Sequence, residues 1–143
     1  MTLTPHMQEI LAIVLAESRR LEVSEDRPPA GMDPNRWGAL CRERQEYQAF
    51  GVRHDLAQWL GHPASPSESA VFSRALRNME AMGLVLRVNR WGGSRTTHVR
   101  LTPGGQAEAE RLAKEQEEYV AALLSTLTLA LPPEPLGDAE QGA

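Results

Sequence analysis

Cysteine is nearly absent from this chain, since Cys41 is the single cysteine among 143 residues. One cysteine excludes an internal disulfide and is typical of a protein from a reducing compartment. The sequence also lacks any apolar run of about 18 residues, which excludes a membrane-spanning helix. Its first residues do not resemble the apolar core of a secretory leader. We therefore expect a cytoplasmic protein that has no membrane partner.

The motifs of common enzyme classes are missing as well. There is no glycine-rich phosphate loop, no arrangement of Ser, His and Asp, and no carboxylate pair with an evident catalytic task. His54, His62 and His98 lack the companions and the spacing of a metal site. We expect a protein that is not an enzyme and uses no metal or cofactor. Cys41 is interpreted as a buried structural thiol rather than as an oxidation sensor.

The charge of the chain is unevenly distributed. The formal net charge is −4, which by itself argues against a nucleic-acid partner. However, residues 53–105 hold seven arginines against three acids, a net charge of +4, and residues 106–143 hold two cations against eight acids, a net charge of −6. A basic segment can steer the approach to DNA while an acidic remainder limits indiscriminate binding. The middle of the chain is therefore the candidate binding region.

This basic segment contains a helix whose start and end are both marked. Ser65 is a favourable N-cap, Pro66 suits the first helical position, and Glu68 completes a capping box. Gly83 supplies the left-handed residue that ends the helix. An apolar stripe recurs at helical spacing: Phe72, Ala75, Leu76 and Met79. The opposite face carries small and polar residues: Ala70, Ser73, Arg74, Arg77, Asn78 and Ala81.

The composition of that opposite face fits a helix that reads DNA. Small residues allow the helix backbone to enter a major groove, where Arg and Asn side chains can bind guanine and adenine edges. An ordinary solvated face has a similar composition, so the neighbouring segments decide between the two readings. Upstream, His54–Leu60 predicts a short helix closed by Gly61, with three residues facing a core: Leu56, Ala57 and Leu60. A short helix, a glycine-containing turn and a longer helix make a helix-turn-helix.

The residues downstream of the helix predict a β-hairpin. Leu84–Asn89 and Arg95–Leu101 are rich in β-branched and apolar residues, and they flank the turn Arg90–Ser94, which contains two glycines. In the second strand, alternation predicts a buried face and an exposed face: Thr97, Val99 and Leu101 on the first, Thr96, His98 and Arg100 on the second. The hairpin contains four arginines and no acid: Arg87, Arg90, Arg95 and Arg100. A basic wing of this kind lies along phosphates or enters the minor groove.

Two stretches of this region resemble one family. Residues 73–85, SRALRNMEAMGLV, are similar to the recognition helix of the MarR-type winged helix-turn-helix regulators, and residues 95–105, RTTHVRLTPGG, are similar to their second wing strand. The resemblance covers about residues 53–112. It implies that the first and last helices form a dimer interface. It also implies that a small-molecule effector binds between the dimer helices and the DNA-binding part.

The flanking segments predict further helices. Residues 4–21 carry one apolar face: Met7, Ile10, Leu11 and Val14, widened by Ile13 and Leu15 beyond what a thin domain would cover. Residues 103–130 carry a row at spacings of three and four: Leu112, Gln116, Val120, Leu123 and Leu127. Residues 37–48 indicate another helix after the long loop Glu22–Arg36. The two terminal helices either pair with a second copy, which we favour, or pack on each other within one chain.

The predicted fold is mainly α with a small β-hairpin, a winged helix-turn-helix with N- and C-terminal dimerisation helices. We expect a single domain over residues 1–131, with the helix-turn-helix at about 53–83, the wing at about 84–101, the dimerisation helices at about 4–21 and 103–130, and a disordered acidic tail at 132–143.

The predicted function is that of a homodimeric transcriptional regulator, a repressor, that binds double-stranded DNA in a sequence-specific way. Groove reading is expected from Ser73, Arg74, Arg77 and Asn78, and contacts to phosphates or the minor groove from Arg90 and Arg95. The alternatives are a winged-helix protein-interaction module and an accessory factor of plasmid or phage replication or partition. Trp91, at the wing tip, is expected to pack on the domain body or on a partner, with DNA contact as the alternative.

Overall fold

The computed structural model describes residues 2–22 and 27–130. The described part of the chain is mainly helical, at 67% of its residues, with a small antiparallel sheet of three strands. The elements follow in this order: α1 (Pro5–Glu22), α2 (Pro34–Phe50), β1 (Val52–Arg53), α3 (Leu56–Leu60), α4 (Pro66–Ala81), β2 (Val85–Val88), β3 (His98–Leu101) and α5 (Pro103–Ala130). The chain forms two compact units, one ending at Leu112 and the other beginning at Ala113. None of the described helices is long and apolar enough to cross a membrane.

Helix α4 has the start and the end that its sequence predicts. The Glu68 N–H donates to Ser65 Oγ at 3.1 Å, and the Ser65 N–H donates to Glu68 Oε1 at 3.0 Å, which completes the capping box. The helix ends just before Gly83, whose φ of 77° is the left-handed conformation that glycine adopts without strain. The predicted apolar stripe is buried: Phe72, Ala75, Leu76 and Met79.

The hydrophobic core lies where α1 packs on α4 and the sheet. Its most deeply buried apolar side chains come from these elements: Ile10, Leu11 and Val14 of α1, Leu76 and Met79 of α4, and Val85 and Val99 of the strands. The sequence predicted that Ile13 and Leu15 extend the apolar face of α1 beyond what the domain covers. This prediction is wrong for Leu15, which is buried within the chain, while Ile13 is half-buried. The reason is that α2 and the sheet cover this helix in addition to α4.

Several predicted boundaries differ in the first half of the chain. Helix α2 begins at Pro34 and ends at Phe50, so it includes the last residues of the predicted loop 22–36. Residues 23–26 of that loop lie outside the described residues. Helix α3 begins at Leu56 because Asp55 caps it by accepting a hydrogen bond from the Gln58 N–H at 3.2 Å. Ala57, expected to face a core, is exposed, because this one-and-a-half-turn helix packs through its other side chains.

The sheet contains a strand that the sequence did not predict. The strands β2 and β3 pair antiparallel, with Val85 opposite Leu101 and Val88 opposite His98, and both are shorter than predicted. Strand β1 pairs with the other edge of β3, where Arg53 lies opposite His98. The predicted exposure of His98 is wrong, since only 2% of its surface is exposed. The pattern fails there because α2 packs against the sheet from the side that the alternation assigned to solvent.

Helix α5 has the predicted bounds, and its two parts differ in burial. In the first turns, Gly105 and Ala109 are buried. Beyond Ala113, the described large apolar side chains are exposed: Tyr119, Val120, Leu123, Leu124 and Leu127. The predicted domain bounds and the acidic tail 132–143 extend beyond the described residues and stay a prediction.

Candidate nucleic-acid interface

The face of α4 opposite the core is solvent-exposed along its whole length. The predicted reading residues are all exposed on it: Ser73, Arg74, Arg77 and Asn78. The buried stripe fixes the orientation of the helix, so these side chains have a defined position relative to the sheet. Within residues 2–22 and 27–130, Arg74 and Arg77 form no ion pair. Their charges are therefore available to a ligand.

An open groove of about 640 Å³ lies between α4, the start of α3 and the loop that joins β2 to β3. We call this loop, residues 89–97, the hairpin loop. Four arginines line the groove: Arg53, Arg77, Arg87 and Arg95. Serine and threonine side chains complete its polar lining: Ser69, Ser73, Ser94 and Thr96. Asp55 is the one acid in this lining, and it is engaged as the cap of α3.

Two of the four arginines are already neutralised by carboxylates. Arg53 Nη2 lies 2.8 Å from Glu46 Oε2, and Arg87 Nη2 lies 2.9 Å from Glu80 Oε1. The backbone N–H of Arg87 and then its guanidinium hold the pKa of Glu80 below its ordinary value, so this carboxylate is charged at neutral pH. Arg95, like Arg77, forms no ion pair in the described part of the chain. The groove thus combines two structural arginines with two that are free to bind an anion.

Arg90 is oriented differently from the other predicted wing residue, Arg95. Its guanidinium carbon lies 5.2 Å from the centroid of the Phe50 ring and 5.3 Å from that of Trp91. Its Nη1 atom is 3.4 Å from Glu46 Oε1, so α2 draws the side chain away from the groove. Arg90 and Arg95 both border a second depression of about 490 Å³ next to the hairpin loop.

The structure therefore divides the six predicted site residues into three groups. Ser73, Arg77 and Arg95 line one groove, although 18 positions of sequence separate the two arginines. Arg74 and Asn78 share the exposed face of α4 but lie outside the groove lining. Arg90 belongs to the neighbouring depression.

The sequence analysis missed a charged cluster centred on Glu46. Its carboxylate accepts two hydrogen bonds from Arg53 Nη2, at 3.0 and 2.8 Å, and lies 3.4 Å from His98 Nε2. Burial raises the pKa of Glu46, but the hydrogen bonds and charge of Arg53, followed by those of His98, outweigh it and hold the pKa below the ordinary value. Burial lowers the pKa of His98 by more than Glu46 raises it. The cluster thus consists of a carboxylate with two arginines and a mainly neutral imidazole.

No local pattern could have indicated this cluster. Glu46 precedes Arg90 by 44 residues, and α2 has no buried face from which the orientation of Glu46 could be inferred. Arg53 is part of β1, which at two residues is too short to display an alternation. The pairing of β1 with β3 and the packing of α2 against these strands bring these residues together.

Cys41 and Trp91 differ from their expected burial. Cys41 is half-buried rather than buried. Trp91 is 77% exposed, which contradicts its expected packing on the domain body. Trp91 lies in the hairpin loop, outside the core, and the Arg90 guanidinium lies 5.3 Å from the centroid of its ring. Among the described residues, no group of His, Cys, Asp and Glu could hold a metal ion.

The MarR-type resemblance of residues 73–85 and 95–105 stays a prediction. In the structure, these two stretches form the end of α4 with the start of β2, and β3 with the start of α5. Neither arrangement identifies a family by itself, because folds are shared by unrelated proteins. Comparisons of the chain with models of protein families, with curated proteins and with solved structures found no match.

Proposed function

We propose that this protein is a transcriptional regulator that binds double-stranded DNA in a sequence-specific way through a winged helix-turn-helix. The observation that carries the proposal is that Arg77 of α4 and Arg95 of the hairpin loop line one open groove with uncompensated charges. The succession of α3, the turn at Gly61, α4 and the hairpin β2–β3 supports it, since this is the element order of that motif. The basic groove lies on a chain of net charge −4. This favours a local site for an anion over non-specific electrostatic binding to the whole surface.

In this proposal α4 enters the major groove of B-DNA, which is wide enough for one helix. Ala70 and Ser73 are small and permit a close approach of the helix backbone. Arg74 and Arg77 can each donate two hydrogen bonds to a guanine, and Asn78 can pair with an adenine edge. Arg95 contacts the phosphates or the minor groove and sets the register of α4 on the duplex.

The second compact unit supports a homodimer. Leu123, Leu124 and Leu127 are 43%, 58% and 56% exposed, and together with Tyr119 and Val120 they form an apolar surface on α5. Pairing of this surface with a second copy would remove it from water. A symmetric pair would present two α4 helices to half-sites about one DNA turn, roughly 34 Å, apart. Occupancy of such a site represses transcription by excluding polymerase.

The proposal is tested by selecting duplexes from a random-sequence pool and measuring their affinity by fluorescence anisotropy across a salt series. Arg77→Ala and Arg74→Ala are expected to lower the preference for the selected duplex over a scrambled one by about 1–3 kcal/mol each. Arg19→Ala is the matched control, because it removes the same charge from an exposed position on α1 outside the groove. Its affinity is expected to equal that of the wild type.

Two results would contradict this function. No duplex binding at low salt would exclude a DNA-binding role and would favour the alternative hypothesis of a winged-helix protein-interaction module. Equal losses in Arg19→Ala and Arg77→Ala would show that binding depends on net charge and that α4 does not read bases.

A further inference from the structure

Trp91 is the most exposed of the large apolar side chains in the described part of the chain, at 77%. It lies in the hairpin loop between β2 and β3. An indole in water contributes little to the burial that stabilises a fold, so the ring of Trp91 is free to contact a molecule outside the domain.

Hydrogen bonds of Asn89 order the backbone of the hairpin loop around Trp91. The backbone N–H of Trp91 donates to Asn89 Oδ1 at 2.8 Å, and the backbone N–H of Gly92 donates to the Asn89 carbonyl at 3.1 Å. On its other side, the Asn89 amide donates to the Arg95 carbonyl and closes the loop. A loop whose backbone is ordered before binding loses less conformational freedom when it binds.

Side chains support one side of the indole. The Arg90 guanidinium is placed between the rings of Phe50 and Trp91, at 5.2 and 5.3 Å from their centroids. Glu46 anchors this guanidinium at 3.4 Å. The stack of Phe50, Arg90 and Trp91 connects the loop to α2 and leaves the rest of the indole open to solvent.

The surroundings of Trp91 are basic and continuous with the groove of α4. The depression of about 490 Å³ beside the ring is also bordered by three arginines, Arg53, Arg90 and Arg95, by one carboxylate, Glu46, and by Thr96, so its charged lining is net positive. Arg95 and Thr96 line the α4 groove as well, so the groove and the depression adjoin. An extended anion bound along Arg77 and Arg95 would therefore reach Trp91. An apolar ring flanked by arginines suits the DNA minor groove, whose negative potential attracts arginine and whose base steps accept apolar wedges.

We propose that Trp91 is a DNA-contacting residue that packs into the minor groove beside the α4 site, against the base edges and sugars of one base step. The inference rests on the proposed function. We therefore expect Trp91 to favour base steps that unstack easily, namely the pyrimidine–purine steps TA and CA/TG. These steps would lie at a position of the duplex that α4 does not read.

The first test compares the affinities of Trp91→Ala, Trp91→Phe and Leu86→Ala for the duplex selected by the wild type. Leu86 is the matched control, because it is an exposed apolar residue, at 52%, on β2 of the same hairpin. Trp91→Ala is expected to lose about tenfold in affinity with an unchanged salt slope, since no charge is removed. Trp91→Phe retains most of the affinity and Leu86→Ala retains all of it. Thermal unfolding of the three variants checks that each substitution leaves the fold intact.

The second test places 2-aminopurine at successive steps beside the α4 site and measures its fluorescence, which rises when the base unstacks. One step is expected to brighten with the wild type and to stay dim with Trp91→Ala. Normal affinity and an unchanged signal in Trp91→Ala, with Arg77→Ala still impaired, would overturn the role of Trp91 and leave the proposed function standing. A shift of the dimerisation equilibrium by Trp91→Ala would also overturn it, because Trp91 would then contact a second copy. No duplex binding by any of these proteins would overturn both.

Discussion

Replacement of Gly105 by alanine tests how α5 joins the rest of the first compact unit. Gly105 lies in the first turn of α5 and packs against Leu84, the residue before β2. A Cβ atom at Gly105 would lie 1.8 Å from the Leu84 carbonyl oxygen and 2.8 Å from its carbonyl carbon, whereas real Cβ contacts stay beyond 3.0 Å. Because the obstructing atoms are backbone, no side-chain rotation relieves the clash, and one segment must move by more than about 1 Å.

The magnitude follows from two opposing effects. Overpacking of this kind typically costs about 1–3 kcal/mol. Alanine offsets part of it, since it favours a helix over glycine by about 0.5–1 kcal/mol. We therefore expect Gly105→Ala to lower the free energy of unfolding by about 1–2 kcal/mol. Gly104→Ala is the matched control, because its added Cβ would have nothing nearer than 3.7 Å and should be neutral or slightly stabilising.

Urea unfolding followed by circular dichroism measures both variants. Gly105→Ala is expected to shift the midpoint to lower urea with an unchanged m-value, and to lower Tm by about 4 °C for each kcal/mol. If Gly105→Ala proves as stable as Gly104→Ala, the first turn of α5 does not approach Leu84 as described. A changed m-value would mean that the substitution alters the extent of the folded structure rather than one contact.

Three further predictions concern the cap of α4, the pKa values of His54 and His98, and the apolar surface of α5. Ser65→Ala is expected to lower the free energy of unfolding by about 1 kcal/mol, because it removes the acceptor for an N-terminal amide of α4, and an unchanged urea midpoint would refute this. Burial lowers the pKa of His54 and of His98 from the ordinary 6.5, so the unfolded chain binds protons first on acidification. Their contribution to stability is therefore present above pH 6.5 and is lost as the pH falls from 6.5 towards the lowered pKa values of the folded chain, with a slope of at most about 1.4 kcal/mol per pH unit for each histidine. Urea titrations at descending pH would measure this loss, and a flat profile would contradict it. If the proposed homodimer forms through α5, Leu123→Asp is expected to convert it to a monomer in sedimentation equilibrium without loss of helix. A variant that stays dimeric would place the contact elsewhere, and a monomeric wild type would refute the homodimer.

The elements that the sequence predicted well are those whose signals are local. The bounds of α4 follow from Ser65, Glu68 and Gly83, which act on backbone groups within one turn. Its buried stripe follows from helical spacing alone, and the same is true of the buried face of α1. The start of α5 follows from Pro103, which suits the first helical position. The exposed face of α4, with Arg74 and Arg77, was predicted for the same reason.

The errors occur where a distant segment changes the environment of a residue. His98 was assigned to solvent by alternation, but β1 and α2 cover it. Arg87 and Arg90 were both counted as basic wing residues, yet Glu80 engages the first and Glu46 lies beside the second. Charge counted along a chain includes every ionised side chain, whereas binding depends on the charge that no neighbour neutralises.

By itself, the sequence determined where α4 and α5 begin and end, which face of α4 is buried and which stretch of the chain is basic. These properties depend on groups within about four residues of one another, where backbone geometry leaves little choice. Only the tertiary structure decided that Arg77 and Arg95 share a groove, that Arg53 and Arg87 are held by carboxylates, and that Trp91 faces solvent. Those properties depend on contacts between separate elements, and such contacts arise only when the apolar faces of α1, α4 and the sheet bury one another.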